Sequence, residues 1–338
     1  MKTYELLIAE HQPKCGGKSP VRTTIQMVTT DDPVAYVKER EPNNELKVST
    51  EKDGTIIVET DHNGFAVKYE FTEDYSSFKG GEGFMWNSFK ISDYEGMIAE
   101  TIRINGHEGK PIRAYYARPL GPGPYPGITL IPHMPGWDEW LRETARRFAA
   151  HGFSVVCPNI FEDFGDGTAP EVSKRSMESG GATDKNVMED VDASLAFLRN
   201  QTTSNGKVGV IGMCSGGRHT FLAAATLDGI DAAVDCWGGG VISPPEKLSP
   251  ARPVAPIDYA EGIKCPILGI FGNEDVMPTP EEVNQTEEVL KKFGKTYEFH
   301  RYDGAGHGFW YYDRAPYRQE QAMDAWNTTL EFFDRYLK

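Results

Sequence analysis

The spacing of apolar and polar residues divides the chain into two parts with different periods. In the first part, residues 46–71 (LKVSTEKDGTIIVETDHNGFAVKYEF) alternate apolar and polar side chains, interrupted by Asp53-Gly54 and Asn63-Gly64. A period of two with such dipeptides predicts three antiparallel strands joined by tight turns. Residues 74–96 (DYSSFKGGEGFMWNSFKISDYEG) are rich in aromatic residues and glycine, which favours an ordered linker or a flap. We therefore expect residues 1–95 to form a β-rich N-terminal extension.

The second part, residues 96–338, shows a hairpin pattern followed by short apolar runs that alternate with amphipathic stretches. The apolar runs predict strands at GITLI, FSVVCP, KVGVIGM, DAAVDCW, CPILGIFG and TYEFHRY. Helical spacing appears at WDEWLRETARRFAAHG, DKNVMEDVDASLAFLRNQ, Gly216 to Leu227, TPEEVNQTEEVLKKFG and Tyr317 to Leu337. This alternation predicts an α/β domain with a mostly parallel sheet and helices on both faces. Chemistry in such sheets lies in the loops after the carboxyl ends of the strands.

Composition narrows the classes of function. The 338-residue chain has a formal net charge of -15 and no strong basic run, which argues against a nucleic-acid partner. The N-terminal MKTYELLIAEHQ does not have the pattern of a signal peptide, and no apolar run approaches the ~18 residues of a membrane span. We therefore expect a cytoplasmic protein. Five cysteines without a CxxC pair indicate neither a disulfide framework nor a zinc site.

The segment VGVIGMCSGG contains the strongest local motif. Cys214 follows an apolar run and lies between Gly212 and Gly216, in the pattern G-x-C-x-G of a nucleophile elbow. Such a turn needs small neighbours, and the helix after it directs its positive N-terminal end at the sulfur, which favours thiolate. The backbone N–H of Ser215 can then face a developing oxyanion. The same glycines also suit a tight turn in which a cysteine is merely packed.

A thiol nucleophile needs a base, and the base needs a group that orients it. In α/β-hydrolases the order along the chain is nucleophile, acid, histidine. Asp275 follows the strand CPILGIFG, with Glu274 as the competing carboxylate, and His307 lies between two glycines after the strand TYEFHRY. The sequence therefore predicts a Cys214–Asp275–His307 triad. No metal-ligand spacing or dinucleotide fingerprint occurs, so we expect neither a metal nor another cofactor.

Several segments of residues 96–338 resemble the dienelactone hydrolase (carboxymethylenebutenolidase) family of the α/β-hydrolase superfamily. They are PHMPGWDEWLRETARRFAAHGFSVVCPNIF, GVIGMCSGG, FGNEDVMP and YDGAGHGF. The resemblance implies a thiol triad, and Cys214, Asp275 and His307 match its three positions. It also implies a second oxyanion donor, the backbone N–H of Met134, because the next residue, Pro135, has no N–H.

The sequence departs from that family pattern at two positions. His133 replaces the family's usual Glu, which partners the resting thiol, and Tyr311 replaces the usual substrate-binding Arg four residues after the triad histidine. Loss of this arginine argues against the anionic dienelactone as substrate. Aromatic residues near the predicted catalytic loops favour a more apolar or aromatic ester, with part of them used for packing. The expected substrate-binding residues are His133, Trp137, Trp310 and Tyr311.

The pattern predicts a hydrolase that cleaves an ester or lactone through a thioester acyl-enzyme on a small-molecule substrate. The same triad also fits hydrolysis of a carbon–carbon, amide or phosphotriester bond. A non-catalytic binding protein on this fold is a further alternative. The sequence leaves open whether the chain forms a homo-oligomer, and whether residues 1–95 serve dimerisation or cover the active site.

Overall fold

The structure is a computed structural model that describes residues 2–11, 22–51, 54–62, 65–73, 96–134 and 136–338. The predicted turn residues Asp53, Asn63 and Gly64 and the predicted linker or flap, apart from Gly96, lie outside the described residues. The chain divides into two units, Met1–Phe89 and Lys90–Lys338. The predicted boundary at residue 95 lies outside the described residues, so it stays a prediction.

The first unit contains an antiparallel sheet of five strands in the order β2-β1-β5-β4-β3. Strands β3 to β5 are the three that the alternation predicted. Strands β1 and β2 and helix α1 were not predicted. Asp32 caps α1, because its carboxylate accepts hydrogen bonds from the backbone N–H groups of Val34 and Ala35. The elements are β1 (Lys2–His11), β2 (Arg22–Thr30), α1 (Pro33–Arg40), β3 (Lys47–Thr50), β4 (Ile56–His62) and β5 (Phe65–Glu73).

The second unit contains an eight-stranded sheet in the order β13-β12-β11-β10-β8-β9-β7-β6. Strands β8 to β13 pair in parallel, and the β6–β7 hairpin adds an antiparallel edge. The sheet therefore confirms the predicted α/β-hydrolase fold. The strands are β6 (Met97–Asn105), β7 (Pro111–Pro119), β8 (Tyr125–Ile131), β9 (Ser154–Pro158), β10 (Ser204–Met213), β11 (Ala232–Cys236), β12 (Ile267–Gly272) and β13 (Tyr297–Tyr302).

Helices cover both faces of this sheet, because its parallel strands are apolar on both sides. Five of the helices lie where the helical spacing predicted them, and α3 was not predicted. They are α2 (Glu139–Ala150), α3 (Ala169–Glu178), α4 (Asp184–Arg199), α5 (Ser215–Thr226), α6 (Pro280–Lys292) and α7 (Gln319–Leu337). Helices α2 and α7 pack on one face of the sheet, and α4, α5 and α6 pack on the other.

Alternate residues of the central strand β10 enter the two cores. Ile211 and Met213 face the side of α2 and α7, whereas Val208 and Val210 face the side of α4 and α5. This burial on both faces explains the unbroken apolar run of the sequence. Among the described residues, no helix combines the length and the apolar character needed to cross a bilayer. The cytoplasmic location stays a prediction.

Candidate active site

Cys214 lies at the junction of strand β10 and helix α5, at the carboxyl edge of the parallel sheet. Its backbone has φ 55° and ψ -119°, in the region that favours glycine, and its N–H donates to the carbonyl of Cys236, 3.0 Å away. The flanking glycines are required by close packing. A Cβ on Gly212 would come within 2.2 Å of the Gly216 carbonyl oxygen, and one on Gly216 within 2.3 Å of the Ile131 carbonyl oxygen. The local geometry is therefore that of a sharp strand–helix turn that presents one side chain.

His307 and Asp275 lie in the loops after two neighbouring strands, β12 and the edge strand β13. Asp275 follows β12 and is 4% exposed, and His307 follows β13. His307 Nδ1 lies 3.0 Å from Asp275 Oδ2, while Asp275 Oδ1 accepts a hydrogen bond of 2.8 Å from the Met277 N–H. The competing carboxylate, Glu274, is exposed to solvent. The structure thus brings Asp275 rather than Glu274 to His307.

The protonation of His307 depends on its two neighbours. Burial alone would lower the pKa of His307. Hydrogen bonds to Asp275 and to Cys214, together with the negative charges of both groups, outweigh burial and raise that pKa to about 10. The imidazole therefore lies between the Cys214 side chain and the Asp275 carboxylate, and these neighbours favour its protonated form.

The two candidate oxyanion donors line one cavity. Met134 follows β8, Ser215 opens α5, and both border a cavity of about 260 Å³. The lining of this cavity includes the apolar side chains of Met134, Ile160, Phe161 and Met177. The backbone N–H of Ser215 belongs to the first turn of α5, where such groups have no partner within the helix. The cavity can therefore hold a small molecule beside the predicted oxyanion hole.

Two cations border the same cavity, and sequence reasoning missed both of them. Lys247 and Arg252 come from the long β11–β12 connection, and no carboxylate belongs to the described residues that line the cavity. Arg218 forms a bidentate ion pair with Asp184, whereas the Arg252 guanidinium has no ion-pair partner within the described part of the chain. Burial and the charge of Arg218 lower the pKa of Arg252, while Asp184 and Cys214 act in the opposite direction. The length of this connection and its position after a parallel strand were the available signals.

The residues that the sequence predicts to bind substrate differ from one another in burial and in their contacts. His133 is fully buried, with Nδ1 2.6 Å from Tyr311 Oη and Nε2 2.9 Å from Asp138 Oδ2. Tyr311 is 4% exposed. Trp310 packs against Trp237 in the core, and neither His133, Tyr311 nor Trp310 is among the residues that line the 260 Å³ cavity. Their placement is that of packed or hydrogen-bonded core residues, and their contact with substrate stays a prediction.

Trp137 is partly buried, and its indole N–H donates to the carbonyl of Cys157, 3.1 Å away. The Arg142 guanidinium lies 4.4 Å from the centre of the indole ring. A role of Trp137 in substrate binding also stays a prediction. Trp237, which the sequence suggested only as the end of a strand, packs its ring 6.5 Å from the imidazole of His307. Because Trp237 is fully buried, this contact packs the candidate base against the core.

Among the cysteines that the structure describes, those other than Cys214 are poor candidates for a nucleophile. Cys157, Cys236 and Cys265 are buried, and burial raises the pKa of the Cys265 thiol to about 12. Such a thiol stays protonated at neutral pH, and a thiol is a weak nucleophile. Within the described ranges, no group of three or more His, Cys, Asp or Glu side chains is arranged to hold a metal ion.

Comparison with known proteins adds independent findings to this geometry. The model of the dienelactone hydrolase family matches residues 112–337. A Methylorubrum extorquens protein named "Putative carboxymethylenebutenolidase" is 32% identical over 72% of this chain and 84% of its own length. A Bradyrhizobium protein named "Probable 2-oxo-3-(5-oxofuran-2-ylidene)propanoate lactonase" is 28% identical over 71% of this chain and 98% of its own. A crystal structure described as a putative dienelactone hydrolase from Klebsiella pneumoniae has 29% identity and a TM-score of 0.64, covering 71% of this chain and all of that one.

Fold, site and comparisons together define a hydrolase with the α/β-hydrolase architecture, and the chain belongs to the dienelactone hydrolase family. This confirms the resemblance found in the sequence. The protein is an enzyme that hydrolyses esters or lactones. Because an ester or lactone hydrolase is an enzyme, the alternative of a non-catalytic binding protein is contradicted.

Proposed function

We propose that the chain hydrolyses its ester or lactone through Cys214 as nucleophile, His307 as general base and Asp275 as the group that orients the imidazole. One observation carries this proposal. His307 hydrogen-bonds Asp275 through one ring nitrogen and contacts Cys214, which lies at the start of α5 in a backbone conformation that projects its side chain. Residues in these roles are recognised by their mutual geometry, which here agrees with the order along the chain.

The reaction begins when His307 holds the thiol proton and the Cys214 sulfur attacks the substrate carbonyl carbon. The carbonyl oxygen becomes an oxyanion, which the backbone N–H groups of Ser215 and Met134 stabilise, each by about 3 kcal/mol. As the carbon–oxygen bond of the ester breaks, the imidazolium gives its proton to the leaving oxygen. A thioester links the acyl group to Cys214, and in a lactone the released hydroxyl stays attached to that acyl group.

Hydrolysis of the thioester requires His307 to accept a proton from water, although its pKa in the free enzyme is about 10. Formation of the thioester lowers this pKa. Two of the causes that raise the pKa of His307 are its hydrogen bond to Cys214 and the charge of that sulfur, and both disappear in the thioester. Burial, which lowers the pKa, then opposes Asp275 alone. The neutral imidazole can therefore activate water, and the second tetrahedral intermediate expels the thiolate.

The test compares wild type with Cys214→Ala on an activated aryl ester such as 4-nitrophenyl acetate. We expect the turnover of Cys214→Ala to fall at least about 1000-fold, because loss of the nucleophile leaves only binding and the oxyanion hole. Mass spectrometry of the quenched wild-type reaction should show one acyl group on the peptide that contains Cys214. Cys265→Ala serves as the matched control, since it removes a buried thiol outside the site. Equal turnover of wild type and Cys214→Ala would refute the proposal.

We also propose that the substrate combines an apolar portion with an anionic group. The apolar residues that line the cavity support the first part, in agreement with the apolar substrate expected from the sequence. The second part rests on Arg252 and Lys247, two cations beside the oxyanion donors in a chain of net charge -15. A partly buried guanidinium without a carboxylate partner is unfavourable until an anion approaches it. The name of the Bradyrhizobium relative, a propanoate lactonase, describes a substrate of this kind.

Two aryl esters that differ in charge test this second part. The half-ester of succinic acid with 4-nitrophenol carries a carboxylate, whereas 4-nitrophenyl acetate does not. We expect Arg252→Gln to lower kcat/KM for the succinate at least about 10-fold, as for a lost charged hydrogen bond, and to leave the acetate nearly unchanged. Lys174→Gln, on the exposed surface of α3, is the control. Equal losses on both esters would contradict a role of Arg252 in recognising charge.

A further inference from the structure

The two departures from the family pattern contact each other. His133 occupies the position of the family's usual Glu, and Tyr311 that of the usual Arg. In the structure, His133 Nδ1 lies 2.6 Å from Tyr311 Oη, although 178 residues separate them in the sequence. The other ring nitrogen, Nε2, lies 2.9 Å from Asp138 Oδ2. Both nitrogens of His133 are therefore engaged by partners other than the Cys214 sulfur.

The two partners of His133 leave its ring no free lone pair. Burial would raise the pKa of Asp138, but the hydrogen bond and charge of His133, the Leu141 N–H and Arg314 outweigh burial and lower it. Asp138 is thus a carboxylate, which only accepts, so His133 Nε2 carries a proton and donates it. At Nδ1 a neutral ring accepts a hydrogen bond from the Tyr311 hydroxyl, and a charged ring donates one to the Tyr311 oxygen. In either state, no lone pair of this imidazole is left for a thiol proton.

This hydrogen-bonded cluster joins three segments of the site. His133 directly precedes Met134, the candidate oxyanion donor, and Tyr311 lies four residues after His307. Asp138 caps α2, because its Oδ1 accepts a hydrogen bond of 3.1 Å from the Leu141 N–H. Arg314 Nη2 lies 3.2 Å from Asp138 Oδ2, and the guanidinium carbon lies 4.5 Å from the centre of the Tyr311 ring. The loop of Met134, the start of α2 and the loop of His307 are therefore tied together through His133.

We propose that His133 is a positioning residue that fixes the Met134 N–H relative to His307 through its hydrogen bonds to Tyr311 and Asp138, and that it exchanges no proton with Cys214. This inference rests on the proposed function, since it assigns Met134 and His307 the roles given there. Trp140 supports it by stacking on the His133 ring, with ring planes 24° apart and centres separated by 5.8 Å. The imidazole is thus held in place by packing as well as by its two hydrogen bonds.

Tyr311→Phe is the first variant that tests the proposal, because it removes only the hydroxyl and leaves the buried ring to pack. His133→Gln is the second. Steady-state turnover of an activated ester gives kcat and KM, and the rate of Cys214 alkylation by iodoacetamide as a function of pH reports on the thiol. We expect kcat to fall about 10- to 100-fold in both variants, with KM within about twofold of wild type, because a misaligned oxyanion donor weakens transition-state binding. The alkylation profiles should match that of wild type.

Tyr125→Phe is the matched control. Its hydroxyl also donates a hydrogen bond, a partly buried one of 2.7 Å to the Leu120 carbonyl, but at the opposite end of β8. Wild-type kcat in Tyr311→Phe and His133→Gln would overturn the positioning role. A shifted alkylation profile in His133→Gln would show instead that His133 acts on the thiol. Neither result involves Cys214→Ala, so failure of this inference is distinguishable from failure of the proposed function.

Discussion

At the scale of single residues, the most unusual position is Cys214. Its positive φ is held by the β10–α5 junction, by the bond from its N–H to the Cys236 carbonyl and by the two tightly packed glycines. A non-glycine residue in such a sparsely populated region costs about 1–3 kcal/mol. The enzyme therefore holds its candidate nucleophile in a conformation that reduces the stability of the fold.

This strain predicts an order of stability among inactive variants. Cys214→Ala keeps a Cβ and the strain, whereas Cys214→Gly relieves it and loses about 0.5–1 kcal/mol through the greater freedom of the unfolded chain. We expect the free energy of unfolding of Cys214→Gly to exceed that of Cys214→Ala by about 1 kcal/mol. Urea denaturation followed by circular dichroism measures the difference. A glycine variant that is less stable than the alanine variant would contradict strain at this position.

Sequence reasoning located Cys214, Asp275 and His307 because each follows a strand within a local pattern of small residues. It could not find the partners of His133, since a contact between residues 133 and 311 depends on how distant loops pack. Sequence reasoning missed Arg252 for a related reason. Its lack of an ion-pair partner among the described residues is a property of the folded cavity, and a lone arginine in a proline-containing loop carries no local signal.

At the scale of elements, the spacing of apolar residues predicted the strands and helices that have one consistent period. Strand β1 was missed because Leu6, Leu7 and Ile8 are consecutive apolar residues, so the period of two is lost. Leu6 and Ile8 join the core of this unit, whereas Leu7 lies on the other face of the sheet, opposite Glu70 of β5. Helix α3 was missed because its buried positions include Ser173 and Ser176 instead of an apolar stripe.

The contact between β11 and α5 contains a buried carboxyl group that the proposed mechanism does not use. Asp235 accepts a hydrogen bond of 2.8 Å from the Gly238 N–H, and a Cβ on Gly217 would come within 2.4 Å of its Oδ1. Burial raises the pKa of Asp235 to about 7, against the opposing effect of the Gly238 N–H. In the unfolded chain an aspartate has a pKa of about 3.9. The folded protein therefore binds this proton more tightly than the unfolded chain does.

This difference predicts how stability depends on pH. Unfolding releases the Asp235 proton between about pH 4 and pH 7, so the free energy of unfolding falls as pH rises through that window. Asp235→Asn stays neutral, and its stability relative to wild type should rise across the window by about 2–4 kcal/mol. Denaturation curves at pH 4.5, 6 and 8 measure this change, with the exposed Asp258→Asn as control. A stability difference that does not vary with pH would count against a raised pKa.

At the scale of the whole molecule, the two units have separate hydrophobic cores. One core is built from residues between Tyr4 and Phe71, and the two cores of the other unit come from residues between Met97 and Leu337. The Bradyrhizobium relative is matched over 98% of its length by 71% of this chain. The α/β-hydrolase unit thus corresponds to a whole protein elsewhere, and we propose that the domain boundary lies near residue 95.

Independent cores predict that residues 96–338 fold without the N-terminal extension. We expect a chain that begins at residue 96 to unfold in one cooperative thermal transition, because the described residues of both its cores lie between Met97 and Leu337. Calorimetry measures the transition, and sedimentation compares its oligomeric state with that of the full chain. If the fragment is unfolded, the domain boundary does not lie near residue 95. A folded fragment with altered ester turnover would assign residues 1–95 a part in catalysis.

The hydrogen bond between His133 and Tyr311 also restricts how this site can evolve. A return of position 133 alone to Glu would place a second carboxylate against Asp138, and a return of position 311 alone to Arg would place another buried cation beside the His133–Asp138 pair. Each single step passes through an intermediate with an uncompensated charge, whereas both steps together restore opposite charges. The effects of substitutions at positions 133 and 311 therefore depend on each other, and we expect the two positions to change together among relatives of this enzyme.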